Sequence, residues 1–214
     1  MIHQFSNMTE ALILTHLAQD QKLASILPIT TLQPSPQQDN VYEALLRAII
    51  YQQLSGKAAG AIWQKFRALY QDRCPTPEQL QTTETTALRT AGVSSQKANY
   101  LQNVAHFFAN QPPTNWEEVP DEVLLQQLTT IKGVGEWTVQ MLLIFNLGRL
   151  DVFPTKDLGI QQAMIQLYGL EEKGKNLLLR MEEISKAWQP YRSVASRYLW
   201  AWKDNQKNND KKMK

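Results

Sequence analysis

Apolar residues recur at helical spacing along almost the whole chain, and short polar or proline-bearing stretches separate the runs. The first run, "MTEALILTHLAQD" (8–20), follows a Thr9 cap. A linker, "LPITTLQPSPQQD" (27–39), carries three prolines between 28 and 36. "NVYEALLRAIIYQQL" (40–54) predicts a strongly amphipathic helix, and "SGKAAGAIWQKFRALYQ" (55–71) a second that starts at a Ser55 cap with small, close-packing residues. Short helices fit "TPEQLQTT" and "TETTALRTAG", the latter closed by Gly92. "SSQKANYLQNVAHFFAN" begins at a serine cap and runs to the double proline at 112–113. "PDEVLLQQLTT" opens on Pro120 and Asp121, and "DLGIQQAMIQLYG" is capped by Asp157 and stopped at Gly169. Two more runs, "KGKNLLLRMEEISKAWQ" and "PYRSVASRYLWAWKD", complete an all-α pattern of about ten helices with no alternating strand. The tail "NQKNNDKKMK" reads as disordered.

Composition narrows this picture only slightly. The 214 residues are 43% apolar and 20% charged, which suits one or two small domains with a real core. The net charge of +2 is concentrated at the end, where five lysines stand against two acids in the last twelve residues, leaving 17 bases against 18 acids in the body. A nucleic-acid partner must therefore be argued from local sites. Cys74 is the lone cysteine, which excludes an intrachain disulfide and a four-cysteine zinc or iron–sulfur site. The N-terminus does not read as a signal peptide, and the longest apolar run, "MLLIF" (141–145), is too short to span a bilayer; a cytoplasmic, nucleoid-associated protein is expected.

The chemistry concentrates in "TTIKGVGEWTVQMLLIFNLGRLDVFPTKDLGI" (129–160). Residues 121–147 read as helix, turn, helix, with Gly133 and Gly135 able to take positive φ and to admit another backbone. Their N–H groups and the start of the helix at Glu136 suit a phosphate, Lys132 adds charge, and Thr138 offers a hydroxyl. A bare Gly-x-Gly is equally the mark of a tight αα turn.

"LTTIKGVGEWT" resembles the helix-hairpin-helix of DNA glycosylases, and "DVFPTKDLGI" resembles the segment that carries their catalytic aspartate. The likeness extends, in the family's order, to "LLRAIIYQQLSGKAA", "LRTAGVSSQKANYLQNVA" and "WQPYRSVASRYLWAW", from about residue 43 to residue 202, and is greatest to the DNA-3-methyladenine glycosylase II branch. The residues before the matching blocks read as helix plus linker, without room for the extra N-terminal β-domain of longer members. The resemblance implies two helical subdomains: 41–150 containing the hairpin, and 1–40 plus 151–205, with the active site in the cleft between them and 206–214 as a disordered basic tail.

Base excision builds positive charge on deoxyribose, which a fixed carboxylate beside C1′ stabilises. The resemblance assigns that role to Asp157, which can also cap the following helix; Asp151 matches no catalytic position. Members that also cut the backbone carry a Schiff-base lysine where this chain has Trp137, so the implied enzyme is monofunctional and leaves an abasic site. Trp137 and Trp200 match pocket-wall positions, and their rings attract cationic alkylated purines by roughly 0.5–2 kcal/mol. Met141 departs from the family pattern, standing where longer bacterial relatives have a base-stacking tyrosine. Core packing is the expectation for Trp63, Trp116 and Trp188, and Trp202 stays undecided.

Flipping a nucleotide out of the duplex costs a few kcal/mol, and a wedge must fill the gap. By resemblance Gln53 takes that position, beside Leu54. The helix start at Ser94–Lys97 is a further phosphate-site candidate. The family's hairpin often holds Na+ or K+ through backbone carbonyls, here those of Thr129, Ile131 and Val134; no other cofactor is expected. The implied function is excision of alkylated purines such as 3-methyladenine and 7-methylguanine from double-stranded DNA by a monomer. A glycosylase for deaminated or mismatched bases such as hypoxanthine, and a non-catalytic DNA-binding hairpin, are the competing readings.

Overall fold

The computed structural model describes residues 7–30, 40–110, 115–116 and 118–212, with side chains from Glu10 to Gln206. Among these residues every regular element is helical. The expected linker between 31 and 39, the double proline at 112–113 and the Thr9 side chain lie outside them. The chain divides into two compact units, Pro36–Gly148 and Met1–Ser35 with Arg149–Lys214, against the expected 41–150 and 1–40 plus 151–205.

The split unit begins with α1 (Asn7–Leu17) and the one-turn α2 (Gln21–Ala24). Asp20 separates them, its Oδ1 accepting the Lys22 and Leu23 amides, so the helix expected over 8–20 ends at Leu17 and a one-turn helix follows it. The continuous unit holds α3 (Val41–Tyr51), α4 (Gly56–Ala68), α5 (Pro77–Thr82), α6 (Thr85–Thr90), α7 (Ser95–Asn110), α8 (Asp121–Leu128) and α9 (Glu136–Phe145). Local chemistry sets their ends. Asn40 and Ser55 cap α3 and α4, Thr76 and Gln79 form a reciprocal capping box on α5, and Gly92 follows α6 at φ +91°. α7 packs against α3, α5 and α6, and its Ala98, Leu101, Val104 and Ala105 are buried. Trp63 is a core residue, buried against Phe66, whereas Trp116 stacks on Phe108 but stays half-buried.

The split unit resumes with α10 (Leu158–Tyr168), α11 (Gly174–Ser185), a 3-10 turn (Lys186–Trp188) and α12 (Arg192–Lys212). Its core gathers Ile13, Leu17, Leu23, Phe153, Met164 and Trp188, with Trp200 and Trp202 packed against it half-buried. Asp20 Oδ2 accepts both Tyr168 Oη at 2.7 Å and Trp188 Nε1 at 2.9 Å, tying α2 to the later helices. Burial, then the Asp20 carboxylate, pushes the Tyr168 phenol above its ordinary range.

The expected disorder from residue 206 is corrected by α12, whose backbone stays helical through Lys212. The chain has no glycine or proline after Pro190 to stop the helix, and lysines near its end complement the helix dipole. Among the described residues no helix is long and apolar enough to cross a membrane.

Candidate active site and nucleic-acid interface

α8 and α9 pack together and enclose the turn 129–135. Its two glycines are not equivalent. Gly133 sits at φ +107°, and a Cβ there would lie 2.3 Å from Cγ of Tyr100, so a close approach of α7 demands glycine. Gly135 has φ −95° and ψ 167°, ordinary extended backbone, which corrects the expectation of positive φ at both. Nothing would lie within 4 Å of a Cβ at Gly135, so the space beside it stays open. α9 starts there without a side-chain cap, and the N–H groups of its first turn suit an anion.

Lys132 is exposed at the turn, where its carbonyl accepts Asn103 Nδ2 at 3.2 Å. Thr138, in the first turn of α9, is 5% exposed. Trp137 is 46% exposed, an unusual placement for the largest apolar side chain, and Met141 lies one helical turn on, half-buried. α8 ends at Leu128, which releases the carbonyls beyond it from helical pairing; Ile131 O accepts the Val134 amide at 2.9 Å.

The turn between α3 and α4 presents Gln53 at φ +58°, left-handed backbone for a residue with a Cβ, costing on the order of 1 kcal/mol. Gln53 is exposed, and so is Leu54 at 40%. Gln52 points elsewhere: its Nε2 donates to Gly133 O at 3.0 Å. Lys97 Nζ donates to Ile50 O at 2.8 Å and to Gln52 O at 2.7 Å. At the Ser94–Lys97 helix start, the ammonium is committed to the end of α3, and Ser94 Oγ accepts the Lys97 amide at 3.3 Å as the expected serine cap. Burial holds the Lys97 ammonium below the usual lysine range.

In the split unit, residues 150–153 are pinned to the start of α12. Arg192 grips Asp151 through Nε–Oδ1 at 2.7 Å and Nη2–Oδ2 at 2.8 Å, the Ser193 amide donates to Leu150 O, and Val152 N donates to Ser193 Oγ. Asp151 is thus a clamp, consistent with its exclusion as the catalytic carboxylate. From this anchor the chain turns, with Asp157 N donating to Pro154 O at 2.9 Å, and delivers Asp157 to the N-cap of α10. Asp157 Oδ1 accepts the Ile160 amide and Trp200 Nε1, each at 2.8 Å. Gly159 makes room for that indole: a Cβ there would lie 3.1 Å from Trp200 Cδ1 and 3.0 Å from Asp157 Oδ1. Asp157 is half-buried, and beside it Leu158 is 66% exposed.

The model of the HhH-GPD superfamily of base excision DNA repair proteins matches residues 46–190. The chain belongs to this superfamily. Among HhH-GPD proteins it is 38% identical over 164 residues to DNA-3-methyladenine glycosylase 1 of Schizosaccharomyces pombe, covering 74% of this chain and 71% of that one. A solved structure of the S. pombe 3-methyladenine DNA glycosylase Mag1 in complex with abasic DNA matches with a TM-score of 0.75 and 32% identity, over 88% of this chain and 94% of that one. The crystal structure of a DNA-3-methyladenine glycosidase from Bacillus halodurans matches at 0.76 and 39%, over 87% and 86%.

For an HhH-GPD protein, the structure groups the sequence candidates into three clusters: Asp157 with Trp200, the hairpin with Trp137 and Met141, and the 52–54 turn. Sequence reasoning missed Gly159, Tyr100, Lys97 as a carbonyl donor, Gln52 and Leu158. Gly159 alone carried a local signal, since a glycine in the first turn of a helix forfeits roughly 0.5–1 kcal/mol of helix propensity and asks for a packing reason.

Proposed function

We propose that the protein is a monofunctional DNA glycosylase that flips alkylated purines out of double-stranded DNA and hydrolyses their bond to deoxyribose, leaving an abasic site. The observation that carries the reading is Asp157, a carboxylate oriented by two donors on one oxygen at the head of α10. As the bond from C1′ to the purine nitrogen lengthens, positive charge grows on the sugar, and a preorganised carboxylate stabilises it at no cost of reorganisation. Water adds to C1′ and gives up a proton, and a cationic methylated purine departs as a neutral base.

The remaining residues supply grip and selection. The first-turn amides of α9, with Gly133, Gly135 and Lys132, hold the DNA backbone; the Thr129, Ile131 and Val134 carbonyls would hold Na+ or K+, whose charge attracts phosphate. Gln53, with Leu54, fills the space left by the flipped nucleotide. Trp137 and Trp200 each offer an aromatic ring to a cationic base, and Met141, where longer bacterial relatives have a base-stacking tyrosine, bears on which bases are accepted. The protein works as a monomer. Because Trp137 replaces the lysine used by lyase members, no amine forms a Schiff base with the sugar.

The deciding experiment is incubation with methylated duplex DNA and identification of each released base. Release of 3-methyladenine and 7-methylguanine is expected, with strand breaks only after alkali or heat and no adduct trapped by borohydride. Release of hypoxanthine alone would move the protein to the deaminated-base class, absence of any release would leave a DNA-binding module, and a trapped adduct would end the monofunctional assignment.

A further inference from the structure

The turn that carries Gln53 is poorly supported by packing. Gln53 and Leu54 are exposed, and an open cavity of about 230 Å3 lies against the turn, lined by Ile50, Gln52, Gln53, Leu54, Ile62 and Lys97. Its left-handed residue is also a strained one, which relaxes unless its neighbours over-determine it. What holds the turn is a set of hydrogen bonds that reach it from two sides. Lys97, in the first turn of α7, donates to the carbonyls of Ile50 and Gln52, oxygens that the end of α3 leaves without helical partners. Gln52 then reaches across to the carbonyl of Gly133 in the hairpin. The same glycine is packed under Tyr100 of α7, so α7, the turn and the hairpin meet at one point.

We infer that Lys97 and Gln52 are positioning residues that clasp the 52–54 turn to the hairpin, so that the inserting element and the phosphate-gripping element meet DNA as one preformed piece. The inference rests on the reading of the turn as the element that enters the duplex. Its physical content is entropic: a free turn would have to order during flipping, and that cost would fall on the excision step. An ammonium bonded to two carbonyls is a strong way to avoid it, because charge-assisted bonds exceed neutral ones and a methionine leaves both oxygens unpaired. Arginine at 97 retains the charge and the donors, and alanine at 52 cuts only the tie to the hairpin.

The test uses the full chain with Lys97→Met, Lys97→Arg, Gln52→Ala and Gln53→Ala, each checked by thermal melting. Hydrogen–deuterium exchange without DNA reads the turn itself, and single-turnover release of 7-methylguanine reads its consequence. For Lys97→Met, amides 51–55 should exchange about tenfold faster or more, and excision should slow by about tenfold, with Lys97→Arg recovering most of both. Gln52→Ala should shift both readouts in the same direction by a smaller factor, and it carries the test alone if Lys97→Met does not fold. Folded variants with wild-type exchange overturn the clasp, and so does faster exchange with undiminished excision. Gln53→Ala separates the underlying reading: wild-type excision by that variant removes the insertion role of the turn, whereas the exchange of Lys97→Met judges the clasp without DNA.

Discussion

Two aspartates of the split unit do the same local job in different surroundings. Asp20 caps α2 and Asp157 caps α10, and each also accepts a tryptophan N–H, from Trp188 and Trp200. Asp20 spreads its bonds over both oxygens, two amides on Oδ1 and an indole and a phenol on Oδ2, and its tryptophan is fully buried. Asp157 draws its amide and its indole to the same oxygen, and its tryptophan is only half-buried. A capping aspartate is therefore not recognised as functional by its cap. What distinguishes Asp157 is an exposed leucine beside it and a glycine that clears space for the steering ring.

Exchanging the charge at each site should break the comparison most sharply. Asp157→Asn keeps an equally good cap, so the melting temperature should move little, but release of 7-methylguanine should fall by at least about a hundredfold while affinity for duplex DNA survives. Asp20→Asn should do the reverse. An amide at Oδ2 cannot accept from the indole and the phenol together, which costs about 1–3 kcal/mol of stability, whereas kcat of the folded enzyme should be kept. Near wild-type turnover by Asp157→Asn would remove it from the chemistry.

The hairpin repeats the contrast between an enclosed residue and an open one. Gly133→Ala meets the Tyr100 ring and a left-handed backbone at once, and should cost about 2–4 kcal/mol, roughly 5–15 °C in Tm. Gly135→Ala meets nothing within the protein, so calorimetry should find its stability unchanged to within about 0.5 kcal/mol while affinity for duplex DNA weakens severalfold. Equal losses of stability at the two positions would erase the distinction.

The tryptophans give a finer division. Trp200→Phe keeps the ring and deletes the bond to Asp157, so every substrate should slow by about tenfold. Gly159→Ala, which crowds the same indole, should follow it in direction. Trp137→Ala removes an exposed side chain, so it should cost little stability. Its effect should appear as a differential of about 0.5–2 kcal/mol in kcat/KM between cationic 7-methylguanine and neutral hypoxanthine. Uniform loss on both bases would reduce Trp137 to shape and packing.

Much of the molecule was legible along the chain. Ser55 and Asp157 announced helix starts, Gly92 and Gly169 announced ends, and the hairpin was visible in its glycine spacing. These features close on themselves within three or four residues, so their partners lie inside the reading window. The same local logic failed at Gly135, whose backbone is ordinary extended chain with open space beside it, and at Lys97, whose ammonium reads equally as a phosphate ligand or a carbonyl donor. Tertiary structure alone chose between those partners. It brought Gln52 to a carbonyl 81 residues away, Lys97 to one 45 residues back and Trp200 to a carboxylate 43 residues back. Donor and acceptor chemistry is nearly the same at many positions in the sequence, and only the packed chain decides which pairs come within 3 Å and which are left for a ligand.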